Sequence, residues 1–441
     1  MHLLPLSQKG QSSHLFVVLS GGCLSCLLVV ADYEESRSFS EYCDFPVSRD
    51  FDILNLDSFL QDILGTWGEA IGWKILKCED EVCMPMAGEG EGIDSASLIV
   101  SKEYYSKGLR SILLGVDAVL VSDKCLIDGM ARYMGSLGVT DMISVFLDWD
   151  EIIVLFLTQT GKSDGSGGSN IKVREFRIEG DNSFHKLGPN IRNLLSVNFP
   201  GEDLKSVFAN VMNMRIVRSR SPEVWDLLRS YITVSLFNVK DVIFRKFGME
   251  TKDALLTISG DMARVVPVDQ LFISVIDGLQ LRGRYKFAVD NQSRMTVGAV
   301  SLGKKEFACP IREVYPPGYM YISTEKGGSG VLGKACFRGK ISHQSSHGND
   351  LVENMIIGQV GQMYTFDVKG EGNILIKPER SVYFPNLERQ GEYLRGKFSE
   401  GIDKIVVDCR RIPAVYGPDV EANSRRVSGW LQGLNLNYDA D

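Results

Sequence analysis

One stretch, Ala254 to Leu302, constrains the fold more than any other: ALLTISGDMARVVPVDQLFISVIDGLQLRGRYKFAVDNQSRMTVGAVSL. The apolar run from Ala254 to Ile258 meets Ser259-Gly260-Asp261. Such a run predicts a buried strand that ends at a tight glycine turn. Beyond it, Leu271, Val275 and Leu279 recur at i, i+4 and i+8, flanked by Phe272 and Ile276. That spacing makes one apolar face of a helix. Tyr285 to Val289 is a second strand-like run, stopped by Asp290 and Asn291. Strand, glycine loop, helix and strand form an α/β unit, and ligands of such sheets collect at the carboxyl ends of the strands. The Gly260 loop is therefore a candidate ligand position, against the plainer reading that it only supplies a turn.

The chain is long enough for two or three cores: 441 residues, 44% hydrophobic and 24% charged. A formal net charge of -8 disfavours a general nucleic-acid surface. No apolar run reaches the length of about 18 residues that would suggest a membrane span. Leu15 to Val30 is apolar but interrupted at Gly21-Gly22, and it reads as two buried strands rather than a leader. Nine cysteines, an odd number scattered through a long chain, do not read as a disulfide scaffold, and a reducing cytoplasm is expected. Cys23 and Cys26 fall within a strand-like run, Cys78 and Cys83 in an acidic loop, and His343 and His347 in a Ser/Gly-rich segment read as an exposed loop. A buried core position is the expectation for the first pair, with redox or metal use the alternative; the second could pair or bind a metal, though no histidine lies nearby, and the histidines are not on a metalloprotease-like helix.

Taken in order, Asp57 to Trp67 and Ser101 to Arg110 are expected helices, 79–97 a loop, and Ser111 to Val121 contains a strand before a helix over Leu126 to Leu137. Met142 to Thr158 reads as a hairpin turning at Asp148-Trp149-Asp150-Glu151, with both faces of its arms covered. The Gly-Lys-Ser at 161–163 lacks the upstream glycine spacing of a phosphate loop. Ile171 to Ile178 is an expected edge strand, and a helix is predicted from Pro200 through Ala209. Ser221-Pro222-Glu223 is an N-cap opening a helix to about Phe247. Arg215, Arg218 and Arg220 precede it, in a loop that could hold an anion. Residues 305–410 are glycine-rich with short β-like runs, Gly401 to Cys409 is a buried-strand candidate, and Asp419 to Leu434 a final helix packing through Val427, Trp430 and Leu431.

Three pieces of this pattern together resemble the MutL family associated with glutamate mutase, an actin-like ATPase-fold family distinct from the mismatch-repair protein of similar name. Asn213 to Pro222 resembles that family's arginine- and proline-containing segment before a long helix. Ile258-Ser259-Gly260-Asp261 and Val275 to Gly283, closed by Asp290, stand in the places of its glycine loop, helix end and following strand. Asp408-Cys409-Arg410-Arg411-Ile412-Pro413 and Trp430 look like its last strand and terminal helix. The resemblance implies an α/β, actin-like (ribonuclease H-like) two-lobed fold with a C-terminal β-rich region. The expected divisions are 1–159, a first lobe; 160–304, a second lobe with the adenosine-side loop; 305–400, a β-rich domain or insertion; and 401–441, a C-terminal strand and helix. It also implies candidate nucleotide-side residues Gly21, Gly22, Asp148 and Gly260, with Asp148 toward a metal, and Arg215, Arg218, Asp408 and Arg410 as further family-like positions.

Members of this superfamily hold Mg-ATP between two hairpins whose glycines let backbone donors reach phosphate and whose Asp holds the metal. Here the loops depart from that pattern. Leu19-Ser20-Gly21-Gly22-Cys23 lacks the leading Asp, Asp150 stands where a glycine is wanted and Glu151 adds charge, and Asp261 replaces the partner of Gly260. A carboxylate facing a phosphate is repulsive. The expectation is a scaffold or assembly partner of a larger complex, chaperone-like, with a protein partner, no cofactor and no catalytic residue. The alternatives are a working Mg-ATP-dependent ATPase using ATP and Mg, and a sugar or metabolite kinase of the same superfamily.

Overall fold

The structure, a computed structural model, describes residues 11–20, 23–32, 37–46, 95–100, 117–120, 130–131, 133–134, 139–149, 151–160, 171–179, 190–196, 204–214, 221–247, 254–290, 318–324, 335–344, 351–368, 370–379, 382, 384, 387–398, 402–410 and 419–434. The chain divides into two compact units, Met1–Gly138 with Gln292–Tyr315, and Val139–Asn291 with Pro316–Asp441. This division differs from the expected boundaries at 159, 304 and 400: the Asp148 hairpin belongs wholly to the second unit, and so does the β-rich region from Pro316 onward.

In the first unit, β1 (Gln11–Ser20), β2 (Cys23–Asp32), β3 (Arg37–Pro46), β4 (Ser95–Val100) and β5 (Asp117–Leu120) form one sheet in the order β3-β2-β1-β4-β5. The two expected strands on either side of Gly21-Gly22 pair antiparallel, Ser20 with Cys23. β4 lies parallel to both β1 and β5. Residues 95–97, expected to end a loop, are strand. Here Ser95 to Ser97 face His14 to Phe16 of β1, so the ladder overrides their small, polar character. The expected helices at 57–67 and 101–110 lie outside the described residues.

The second unit repeats that order. β6 (Asp141–Leu147), β7 (Glu151–Gln159), β8 (Ile171–Glu179), β9 (Ala254–Ser259) and β10 (Arg284–Val289) run β8-β7-β6-β9-β10, again three antiparallel strands followed by two parallel neighbours. The sheet continues through β11 (Tyr319–Ser323), β18 (Lys404–Asp408) and β14 (Met363–Asp367) to eight strands. β12 (Ala335–Gln344), β13 (Leu351–Gln359), β15 (Gly372–Pro378), β16 (Glu388–Gln390) and β17 (Tyr393–Phe398) build a separate antiparallel sheet in the order β13-β12-β15-β17-β16. The region after 305 is thus split: three of its described strands extend the large sheet and five leave it. His343, expected in an exposed loop, sits in β12 and is buried, because its neighbours pair on both sides with β13 and β15. His347 lies outside the described residues.

Each face of the large sheet has its own core. One faces the helices α1 (Leu204–Met214), α2 (Pro222–Phe247), α3 (Val268–Leu279) and α4 (Val420–Leu434). Period-two alternation sends Tyr319, Tyr321 and Val406 into this core and Met320, Ile322, Ile405 and Val407 into the second, against Phe337, Ile374 and Ile376 of the five-stranded sheet. Both faces are covered, so these strands read as continuous apolar runs without alternation. Phe272 of α3 stacks on Phe287 at 4.3 Å, and Phe287 on Tyr319 at 4.7 Å. The helices approach closely where side chains shrink: a Cβ on Gly278 of α3 would lie 2.7 Å from Leu236 Cβ of α2. α1 begins at Leu204 and continues to Met214, past the expected end at Ala209, because Val211 and Met212 extend its buried face. Ser221 caps α2 as expected, its Oγ accepting from the Val224 amide at 3.4 Å. Among the described residues, no helix is long and apolar enough to cross a membrane.

Candidate functional site

β6, β9 and β10 run parallel, so their carboxyl ends share one edge of the large sheet. That edge carries Asp148 just after β6, Gly260 and Asp261 just after β9, and Asp290 just after β10. Asp290 is buried, and its amide donates to the Ile258 carbonyl at 2.7 Å. Asp261 is also buried and opens a 3-10 turn, Asp261–Arg264.

Gly260 has φ 102 and ψ 178, a backbone region open almost only to glycine. Space enforces the same choice. A Cβ there would stand 2.6 Å from the Leu147 amide nitrogen and 2.8 Å from Asp148 Oδ1. The Asp148 carboxylate therefore rests directly on the glycine loop, where it accepts the Asp261 amide at 3.3 Å. The hairpin that presents it is closed by the Asp148 amide donating to the Glu151 carbonyl at 3.1 Å. Trp149 at its tip is only 4% exposed and joins the helix-side core. The tip is thus anchored by burial of an indole. Glu151, read from sequence as added repulsion, is instead paired with Arg177 of β8 at 3.0 Å, so its charge is locally offset. Ser259, fully buried beside Gly260, has a hydroxyl with no hydrogen-bond partner among the described residues. Among those residues, no group of three or more His, Cys, Asp or Glu is arranged to hold a metal ion.

The other expected residues sit at the opposite edge. β11 is antiparallel to β10 and parallel to β18, so Asp408 and Arg410 follow strands that end where β10 begins. Arg410 is 1% exposed. Its guanidinium meets Asp277 of α3 through Nη2–Oδ1 at 2.8 Å and Nη1–Oδ2 at 3.2 Å. It meets Asp408 through Nε–Oδ1 at 3.0 Å and Nη2–Oδ2 at 2.9 Å. Tyr321 donates to Asp408 Oδ2 at 3.0 Å, and the guanidinium carbon lies 4.6 Å from the Trp430 ring centroid. Burial alone would lower the Arg410 pKa; the Asp277 and Asp408 carboxylates overcome it and hold the group well above the ordinary arginine value. Burial, then the Asp408 charge, pushes the Tyr321 hydroxyl well up. The cluster ties α3, β11, β18 and α4 together and is closed to solvent.

Four expected positions are therefore brought into two separate pairs, Asp148 with Gly260 and Asp408 with Arg410. Gly21, Gly22, Arg215 and Arg218 lie outside the described residues. Sequence reasoning passed over Asp277 and Tyr321. The available signal was Asp277 itself, a lone acid in the apolar run VIDGL, which demands a cation once buried. It also passed over Arg229, fully buried in α2, which holds Asp226 at 2.5 Å and the Leu194 carbonyl at 2.7 Å.

No protein-family model and no curated protein matches this chain. Several solved structures are similar to this chain at low identity. The ethanolamine utilization protein EutJ from Carboxydothermus hydrogenoformans is 13% identical, with 69% of this chain and 92% of that one covered and a TM-score of 0.36. The PilM-PilN type IV pilus biogenesis complex gives 12% identity, 67% and 99% coverage and a TM-score of 0.35. MreB 5 of Spiroplasma citri bound to AMPPNP gives 10% identity, 69% and 98% coverage and a TM-score of 0.30.

Proposed function

We propose that this chain is a degenerate actin-like ATPase-fold protein that serves as a scaffold or assembly partner within a larger complex and binds nucleotide weakly or not at all. The fold half of this reading is supported by the repeated strand order, β3-β2-β1-β4-β5 and β8-β7-β6-β9-β10 with the same parallel and antiparallel pairings, as a duplicated ribonuclease H-like sheet would have.

The functional half rests on one observation: Asp148 Oδ1 already takes the Asp261 amide on the Gly260 loop. A phosphate group needs bare backbone donors at such a loop. Here the donor is engaged by an internal carboxylate, with Asp261 and Asp290 beside it on the same edge, so the residues present do not fit a triphosphate. The test is thermal unfolding with and without Mg-ATP. A ligand that binds only the folded state must raise the transition. No rise is expected at millimolar Mg-ATP; a clear rise overturns the reading. The scaffold role is tested by gentle extraction from the native cell, where elution as a lone monomer would count against it.

A second reading, a working Mg-ATP-dependent ATPase with Asp148 toward the metal, draws on the open-φ Gly260 and the unpartnered Ser259 hydroxyl at the strand ends. Asp148→Asn separates the two. It removes repulsion and strengthens any residual nucleotide binding under the first reading, and it weakens metal-dependent binding under the second.

A further inference from the structure

Two large apolar side chains stand out from the described surface. Met355 is 80% exposed and Ile357 61%, against 43% for Phe237 and 41% for Tyr393, the other exposed large apolar residues described. They lie two apart on β13, so they share one face, while Ile356 between them is buried in the core. β13 is the last strand of its sheet and pairs only with β12 among the described residues. Edge strands that end a sheet are normally protected by charge, proline or a bulge. β13 carries one charged residue, Glu353, no proline, and a regular backbone, since the irregularity in this ladder falls on β12 between Ala335 and Phe337. The Gln359 amide turns to the Tyr364 hydroxyl at 2.9 Å rather than to β12. By the alternation of an antiparallel ladder, the amides and carbonyls of Met355 and Ile357 point to that same open side.

We propose that β13 is a dimerisation edge that pairs antiparallel with β13 of a second copy of this chain, joining two five-stranded sheets. The sequence is self-complementary in one register. With the twofold axis at Ile356, Met355 faces the partner's Ile357 and Ile357 faces the partner's Met355, so each exposed side chain gains one apolar cross-strand neighbour. The same register sets Glu353 opposite the partner's Gln359, so no like charges meet. Residues 355 and 357 are also the ones whose backbone groups face the open side, so they become the hydrogen-bonded pairs. The basic residues Arg338 and Lys340 lie on β12, opposite Ile357 and Met355. In the dimer the two β12 strands stand three strand spacings apart, about 14 Å. That exceeds the Debye length of about 8 Å at physiological salt. Lys340 is moreover paired with Glu353 at 2.8 Å. A shift by one residue is excluded, because it would set the outward backbone groups of Met355 opposite the partner's Ile356, whose own groups face β12 and whose side chain is committed to the core.

The β13 edge is remote in sequence from the Asp148 loop, and its pairing does not depend on nucleotide binding. It is tested on the full chain by sedimentation velocity over a concentration series, with hydrogen exchange of the Met355 and Ile357 amides measured at both ends of the series. The expected result is a concentration-dependent dimer, slower exchange of those two amides in it, and dimerisation weakened at least about tenfold by Met355→Lys/Ile357→Lys, with the melting temperature unchanged at concentrations where the parent is monomeric. The exchange arm needs no variant and decides the matter if the double variant misfolds. A monomer at every concentration overturns the proposal. So does a dimer whose 355 and 357 amides exchange at the monomer rate, and so does protection of β13 only by a foreign polypeptide.

Discussion

Replacing Arg410 by methionine should be among the most damaging single changes in the second unit. The side chain is 1% exposed and makes five hydrogen bonds to two buried acids, two to Asp277 and three to Asp408. Methionine fills much of the volume beside Trp430, so the change mostly removes charge and leaves Asp277 and Asp408 buried with no cation. Breaking a buried ion pair in this way costs about 3–5 kcal/mol. At roughly 2–4 °C per kcal/mol for a domain of this size, the melting temperature should fall by on the order of 10 °C. Asp277→Asn keeps the shape and one acid, so its loss should be nearer about 1.5–3 kcal/mol. The double variant removes one of the stranded acids and should lose less than the sum of the singles. The assay is equilibrium unfolding followed by near-UV circular dichroism. Stranded acids in the Arg410→Met protein favour protonation in the folded state, so its deficit should shrink as pH falls. If Arg410→Met loses under about 1 kcal/mol, or the deficit grows on acidification, the cluster is not the anchor described.

Gly260→Ala should destabilise by about 1–3 kcal/mol, since it forces a positive φ and drives a methyl into the Leu147 amide; thermal unfolding within error of the parent would refute this. Gly278→Ala should cost about 1–3 kcal/mol through overpacking of α3 against α2, read as a lower denaturant midpoint at unchanged slope. Asp269, in the first turn of α3, has its pKa raised chiefly by burial, partly countered by the Gln270 amide. A raised folded-state pKa means stability is lost as pH rises through it, so Asp269→Asn should match the parent at acid pH and exceed it at neutral pH; equal melting curves at pH 7 and 8 would count against it. Burial, reinforced by Cys336, pushes the Cys409 thiol well up, so peptide mapping after alkylation at pH 8 should find Cys409 unlabelled in the native protein and labelled after denaturation.

Much of the frame could be read from the chain because its signals are local. The 3.6-residue spacing of Leu271, Val275 and Leu279, the Ser221-Pro222 start and the Gly260 turn each name an element and its end. What escaped was long-range. Nothing near His343 reveals that β13 and β15 flank it, and nothing near Tyr319 or Met363 shows that these strands join the large sheet while those between them leave it. The site divided along the same line. Gly260 and Asp148 were visible as loop chemistry, but their contact, and Glu151's offset by Arg177, depends on strand pairings 113 and 26 residues apart in sequence. Asp408 and Arg410 were noticed as a family-like string, whereas Asp277, 133 residues before Arg410, is what gives the arginine its charge partner.

The position of β18 has a consequence for how the molecule is made. It enters between β14 and β11, yet among the described strands it is the last in chain order. Until residues 404–408 emerge, β11 and β14 have no common neighbour, and Arg410 is not there to meet Asp277. The large sheet can therefore close only after residues 404–408 have been made, and a chain stopped before them exposes the β11 and β14 edges that β18 would cover to whatever chaperone or aggregate is at hand.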